Sequence, residues 1–325
     1  MREKVIKAIL DSGENFMSGE QLSKKLGISR TAVWKHINAL REEGYNIESV
    51  NKKGYRLAEK PDDILSSENI AYNLPTEFIG KKVIHLDTVG STNDYAKEIG
   101  NKVSGGTLII SEQQTKGKGR LGRVWKSKSG DGIWMSLIIK PKIEPYKAPF
   151  LTLVAGASVV KALSNLDVEA SIKWPNDIIV HNKKICGILT ELSAEMERVN
   201  YVVIGIGINI KTIDFPDEIK EKATSLYKEG YKLSRVDIVR QFCIEFEKLY
   251  KGYILDGNKQ DTLELCRKYS AIIGKQVYVI KNNKRELVKC TDINENGNLI
   301  VKEKNGEIQE IMSGEVSIRG VKGYV

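Results

Sequence analysis

Between Gln113 and Arg123 the chain sets four cations, Lys116, Lys118, Arg120 and Arg123, among three glycines, Gly117, Gly119 and Gly122. Glycine lets backbone amides approach a ligand closely and take positive φ, while Lys and Arg neutralise the charge those amides hydrogen-bond, so the stretch suits a polyanion. It is not a Walker loop, because no Gly-Lys-Ser/Thr stands at the required spacing, and it lacks the strand-to-helix Rossmann fingerprint. A mobile basic surface loop is the plain alternative. A second dense cluster, Lys173-Trp174-Pro175-Asn176-Asp177, places a cation, a large aromatic, a turn former and a carboxylate at one sharp turn. Pro175 fixes the backbone there, Trp174 can pack on a flat ring or in the core, and Asp177 can hold Mg²⁺ or an Asn/Lys partner.

The surrounding elements must position these groups. Residues 82–89 read as a strand, Gly90-Ser91-Thr92-Asn93 as a turn and 94–99 as a short helix, so Ser91 or Thr92 stands at a helix N-terminus, capping amides or meeting a ligand. Residues 107–113 form a strand that runs into the glycine-cation loop, and 132–139 form another, so strands hold the loop on both sides. The apolar stretch 151–165 predicts a helix buried against this sheet. A further strand begins at 170–174. The pair 178–180 and 185–192 turns at His181-Asn182-Lys183, which puts Lys184 at the start of the returning strand, able to point inward. Gly205 and Gly207, alternating within the apolar strand 201–210, clear one sheet face for a flat ligand or for a tightly packed helix.

The first sixty residues have another texture. Val5, Ile6, Ile9 and Leu10 follow helical spacing; Ser18 to Gln21 is a capping box opening a second helix that stops at Gly27; Ser29 caps a third whose inner stripe is Val33, Ile37 and Leu40. Residues 45–57 alternate like a hairpin with a Lys52-Lys53-Gly54 tip. Helix, turn, helix and hairpin make a winged helix-turn-helix, with Ser18, Ser29, Arg30, Thr31, Lys35, Lys52 and Lys53 as candidate DNA contacts. Residues 1–60 hold twelve Lys and Arg against eight Asp and Glu, a balance of +4. A small helical protein-interaction module is the alternative.

Length and composition agree with an ordinary globular chain of two to three domains: 325 residues, 41% hydrophobic and 29% charged. A net charge of +9 favours an anionic partner such as nucleic acid or nucleotide. Cys186, Cys243, Cys266 and Cys290 are widely separated with no C-x-x-C pair, so neither a zinc site nor a disulfide framework is indicated, and a cytoplasmic location fits. The first residues hold no apolar signal core, and the most apolar window, 151–163, is too short to span a bilayer, so no membrane role is suggested. After Ser270, short alternating segments at 276–280, 286–291, 299–302 and 307–312 with Asn- and Gly-containing turns predict a small β-barrel.

Taken in order, the winged helix, Ser91-Thr92-Asn93, Gln114 with 117–123, 173–177, Lys184 to Leu189, Gly205 to Asn209 and Ser313 to Arg319 resemble the bacterial bifunctional biotin protein ligases and biotin operon repressors, the BirA family. The resemblance runs essentially end to end. It implies an α+β multidomain fold with a winged helix-turn-helix over 1–61, a mixed α/β catalytic domain of the biotin/lipoate ligase type over 62–270, and an SH3-like β-barrel over 271–325. It implies that biotin and ATP with Mg²⁺ form biotinyl-5′-AMP, and that a lysine of a carboxyl carrier protein then takes the biotin. Ser91, Thr92, Asn93, Gln114, Lys118, Gly119, Arg120 and Lys184 would hold biotin; Arg123, Trp125, Lys173, Asn176, Asp177 and Asn209 would hold the adenylate or ATP, Asp177 also being the candidate metal ligand. Arg120, Lys184 and Lys118 would be catalytic as preorganised cations. Lys118 departs from the usual arginine and lacks its planar fork. The family further implies a homodimer on operator DNA, favoured by the adenylate. The rival readings are a lipoate or octanoyl ligase and a transcription factor that only senses a metabolite.

Overall fold

The computed structural model describes residues 1–58, 63–281, 284–313, 317–321 and 323–325. The domain boundary expected between 61 and 62, the Asn282-Asn283 turn and part of the closing Ser313 to Arg319 motif therefore lie outside the described residues. The chain divides into two compact units, Met1–Leu74 and Pro75–Val325.

In the first unit, α1 (Arg2–Asp11), α2 (Gly19–Leu26) and α3 (Arg30–Glu42) close around Val5, Ile9, Leu22, Val33, Ile37 and Leu40. The local signals explain the boundaries. Ser18 and Gln21 form a reciprocal capping box, Gly27 ends α2 at φ 66°, and Ser29 accepts from the Ala32 amide to start α3. β1 (Ile47–Val50) and β2 (Gly54–Leu57) form the hairpin, and Met17 pairs with Tyr55 as a short third strand. Gly54, at φ 112°, must lack a side chain because a Cβ there would lie 2.3 Å from the Met17 carbonyl oxygen. The unit runs on past residue 61 through a short α4 (Ser67–Ala71), because Tyr72 donates to the Leu10 carbonyl at 2.8 Å and Tyr45 to Ser66 at 2.8 Å.

The second unit is built on a seven-stranded mixed sheet in the order β3-β4-β5-β9-β8-β7-β6. These strands are β3 (Val83–Val89), β4 (Thr107–Gln114), β5 (Gly132–Ile139), β6 (Ser171–Lys173), β7 (Asp177–Val180), β8 (Lys183–Ala194) and β9 (Val199–Asn209). Only the β3–β4 pair is parallel, and α5 (Thr92–Ile99) crosses between those two strands. α6 (Phe150–Ser164), α7 (Arg235–Leu255) and α8 (Gln260–Lys268) pack together, with α6 against β6, β7 and β8. The apolar stretch is longer than the window 151–163: Pro145–Ser164 is long and apolar enough by composition to cross a membrane, and most of it is buried in this packing. Five antiparallel strands follow, β10 (Gln276–Lys281), β11 (Lys284–Ile293), β12 (Leu299–Lys302), β13 (Ile308–Ile311) and β14 (Ser317–Gly320), in the order β13-β12-β11-β10-β14. The last of these was not among the four alternating segments.

One buried carboxylate fastens the unit's opening residues to α7. Glu247 accepts from the backbone amides of Glu77, Phe78 and Ile79 at 2.6 to 2.9 Å and lies 3.7 Å from Lys251. Burial alone would raise its pKa, but the three amides and Lys251 outweigh that and hold it below the ordinary value. A depressed folded pKa contributes stability above the unfolded value, and that stability is lost as pH falls through the folded one. Glu247→Gln is expected to cost about 1–3 kcal/mol at pH 7 by thermal or urea denaturation. The deficit should shrink when the comparison is repeated below about pH 4.

Candidate active site

The glycine-cation loop is a hairpin in its own right. Gln114 pairs with Ser127 and Lys118 with Val124, while the amides of Thr115 and Lys116 donate to the carbonyls of Val89 and Gly90 at the end of β3. Gly117 is needed where the two arms meet, since a Cβ would fall 2.3 Å from the Trp125 carbonyl oxygen. Leu121 and Gly122 turn the tip at positive φ, 57° and 71°. The loop is thus shaped by its own backbone bonds, and it carries Lys118, Arg120, Arg123 and Trp125 over the sheet.

Beneath it lies an inner cleft lined by amides and hydroxyls. Ser91 caps α5, and both the amide and the hydroxyl of Thr92 donate to Gln114 Oε1 at 2.9 and 3.0 Å. Gln114 donates in turn to Ser127 Oγ at 2.8 Å. Asn93 Oδ1 lies 2.6 Å from Ser136 Oγ, and its Nδ2 donates to Glu191 at 2.7 Å. Gly205 makes this possible: a Cβ there would sit 2.1 Å from Asn93 Oδ1. One of the two bare positions on β9 therefore serves helix packing. The other, Gly207, and Gly187 beside it on β8 receive the Trp125 indole, which a Cβ at either would approach to 2.7 and 2.9 Å. Trp125 Nε1 is buried there with no hydrogen-bond partner among the described residues. With the indole in place the cleft holds about 50 Å³, room for a few waters.

An outer cavity of about 430 Å³ continues from it, lined by seven Lys and Arg against two Asp. Gly119, Arg120, Trp125, Asn176 and Lys184 line both spaces and mark the junction. Arg120 donates to Asn176 Oδ1 at 2.6 Å; burial lowers its pKa, with Asp177 opposing and Arg123 adding. Lys184 meets Asp177 Oδ1 at 2.5 Å and stands 5.2 Å from the Trp125 ring. Lys173 is buried, donates to the Tyr324 carbonyl at 2.7 Å and is brought down to about 7 by burial, with Asp177 opposing and Arg319, Lys184 and Arg123 reinforcing. The Asp177 carboxyl would be raised by burial, but Lys184, Tyr324 and Lys173 hold it below the usual range.

Of the candidate site residues, then, Ser91, Thr92, Asn93, Gln114, Lys118, Gly119, Arg120 and Lys184 converge on the cleft, and Arg123, Trp125, Lys173, Asn176, Asp177 and Asn209 on the outer cavity. Two have other local duties. Lys118 pairs with Asp94 of α5 at 2.7 Å in a half-exposed contact worth under about 1 kcal/mol. Asn209 donates to the Thr224 carbonyl at 3.1 Å, holding the strap 211–226 that walls the cavity. Both Asp177 oxygens are engaged in this structure: one accepts from Lys184 and Asn176, and the other from Tyr324. Its partner is the Asn/Lys pair. Ser136, Glu191 and Tyr324 were missed; of these only Ser136, a lone hydroxyl inside the otherwise apolar β5, left a sequence signal.

In the first unit, Arg30, Thr31 and Lys35 are exposed along α3, and Lys52 and Lys53 at the hairpin tip. Ser18 and Ser29 spend their hydroxyls on caps.

Family models match three stretches: an HTH domain at residues 2–56, the biotin/lipoate A/B protein ligase family at 86–209, and the biotin protein ligase C-terminal domain at 272–319. Fold and site together define a protein ligase of the biotin/lipoate class that carries a helix-turn-helix domain. The chain is 42% identical to the bifunctional ligase/repressor BirA of Bacillus subtilis (strain 168) over 98% of both chains. It is 31% identical to that of Escherichia coli (strain K12) over 97% of this chain and 96% of the other. The solved biotin protein ligase from Aquifex aeolicus in complex with biotin and ATP superposes with a TM-score of 0.65 at 32% identity, covering 74% of this chain and 99% of that one. The chain belongs to the family of the bifunctional ligase/repressor BirA.

Because a methyl group at residue 205 would collide with the buried Asn93 amide, Gly205→Ala is expected to lower stability by about 1–3 kcal/mol, read by denaturant titration.

Proposed function

We propose that this chain activates biotin with ATP, transfers it to a lysine of a carboxyl carrier protein, and represses biotin genes when the activated intermediate accumulates. The observation that carries the reading is the junction of a cleft lined largely by amides, hydroxyls and apolar side chains, with Lys118, Arg120 and Lys184 among its lining, and a strongly cationic cavity. A ureido ring is recognised by amides and hydroxyls such as those of Ser91, Thr92, Asn93 and Gln114, and a triphosphate by Arg120, Arg123, Lys173 and Lys184. Asn209 and Trp125 would border the nucleoside. Magnesium would arrive chelated by the triphosphate.

In the first step a biotin carboxylate oxygen attacks the α-phosphorus of ATP, and the bond to the β-phosphate oxygen breaks to release pyrophosphate. Carboxylate and triphosphate repel one another, and attack concentrates charge on the phosphoryl oxygens. Fixed cations at the junction, Arg120 and Lys184 foremost and Lys118 beside them, supply the compensation. In the second step the carrier lysine amine attacks the acyl carbon, AMP leaves with the electron pair of the broken acyl–oxygen bond, and the nitrogen loses a proton. No enzyme nucleophile takes part.

The inner cleft is too small for a bicyclic ring while the Trp125 indole rests on Gly187 and Gly207, so ring entry displaces that indole. Biotin is therefore expected to change the intrinsic tryptophan fluorescence of the wild-type chain, and Trp125→Phe to abolish most of that change. An identical response in the variant would place the ring elsewhere.

Biotin-dependent ATP–pyrophosphate exchange tests the activity itself. Biotin should drive exchange, whereas lipoate or octanoate should not; exchange with those acids, or with none, would favour the rival readings. Arg120→Ala is expected to release biotinyl-adenylate into solution. On the regulatory side, adenylate would favour a homodimer that sets two winged helices, led by Arg30, Thr31, Lys35, Lys52 and Lys53, on two half-sites. Equal gel-shift affinity for biotin-promoter DNA with and without biotinyl-adenylate would refute that coupling.

A further inference from the structure

The segment that follows β14 turns back into the outer cavity. Gly320 allows the reversal, since a Cβ there would lie 2.3 Å from the Val325 backbone, and Gly323 takes φ 87°. The turn delivers Tyr324, which is only 8% exposed and lies between groups already placed at the site. Its hydroxyl donates to Asp177 Oδ2, its carbonyl accepts from Lys173, and its ring centroid lies 3.3 Å from the Lys173 ammonium. From Asp177 the bonds continue. Oδ1 takes Lys184 at 2.5 Å and Asn176 Nδ2 at 3.2 Å, and Asn176 Oδ1 takes Arg120 at 2.6 Å.

We propose that Tyr324 is a positioning residue for adenylate formation, holding Lys184 and Arg120 in place through Asp177 and Asn176. The inference rests on the biotin-activation reading and adds to it a residue outside the ligase-fold strands. A carboxylate among several cations has more than one hydrogen-bonded arrangement available. Occupying Oδ2 with a phenol leaves Oδ1 for Lys184 and Asn176 and so selects a single arrangement. The phenol is suited to this because burial, Asp177 and the bond to it hold its pKa well above the ordinary value, so it stays a donor at every working pH. The ring and carbonyl act separately, on Lys173.

Two substitutions separate these contributions. Tyr324→Phe removes the hydroxyl and keeps the ring over Lys173, whereas Tyr324→Ala removes both. In pyrophosphate exchange, Tyr324→Phe should lower kcat about tenfold with the biotin KM unchanged, as expected for loss of one hydrogen bond to a charged group. Tyr324→Ala should lower kcat at least as far and also raise the ATP KM. A second readout does not depend on activity: trypsin should cut within 116–123 several-fold faster in both variants, because Arg120 loses its ordered anchor. Melting temperatures serve as the control. If kcat and loop cleavage match the wild type in both variants, or if they change only in proportion to a fall in melting temperature, the positioning role is overturned. If the wild-type chain shows no biotin-dependent exchange, biotin activation falls instead, and the cleavage comparison still decides the role of Tyr324.

Discussion

The ion pair between Asp177 and Lys184 is the interaction on which the site depends. Seven cationic side chains line the outer cavity against two carboxylates, and like charges confined at low dielectric repel strongly unless each is fixed by a partner. Asp177 is half-buried where it touches Lys184, Asn176 and Tyr324 together, and removing one partner leaves a largely desolvated charge uncompensated. Several local features of the fold serve to make the contact. The turn at Trp174-Pro175 presents Asn176 and Asp177 side by side at the start of β7. The two-residue turn at His181-Asn182, both at positive φ, returns the chain so that Lys184 stands opposite Ile179, from where its side chain reaches Asp177 two residues back along β7. Trp174 anchors the turn by donating to the Gly297 carbonyl, tying it to the loop between β11 and β12.

A second constraint is volume. Close packing leaves no unassigned space over a sheet, so a cleft has to be made by omitting side chains. Gly187, Gly205 and Gly207 omit three neighbouring ones, and cross-strand neighbours share a face, which sets these gaps beside Ser136 and Leu189. The space is not left open. Asn93 occupies one gap permanently because Ser136 and Glu191 hold its amide from both ends, whereas the Trp125 indole rests over the others with an unsatisfied Nε1. A buried donor without a partner is costly, so the indole is the less firmly held of the two occupants. That asymmetry separates the wall of the cleft from its removable cover.

Much of this was legible in the amino-acid sequence. Caps at Ser18 and Ser29, the Gly27 stop, the strand-loop-strand setting of the cations and the alternation of the final strands all rest on local rules, and local rules survive folding. What was not legible was set by distant contact. No local signal joins Tyr324 to Asp177 across 147 residues, or Lys97 to Glu191 across 94. Gly205 shows the same limit in milder form: its sequence pattern admitted both a flat ligand and a packed helix, and only the position of α5 chose the helix. The short α4 escaped notice because five residues carry too little periodicity to register.

Lys118, where the resemblance implies an arginine, has a local partner of its own. A lysine offers a point charge in place of arginine's planar fork, and here it meets a single carboxylate, Asp94, for which a fork is unnecessary. Asp94 lies in the first turn of α5, where a negative charge is favoured by the helix dipole, and it also pairs with Lys97, which reaches Glu191 and through it Asn93. The loop is therefore tied at two points: by Lys118 to the network beneath the inner cleft, and by Arg120 to the network of the outer cavity. The half-exposed Lys118 tie is weak enough to exchange for a ligand contact. A molecule filling both spaces would meet the loop at both points and order it more firmly than either half alone, which gives a joined product stronger leverage on loop closure than its two precursors have.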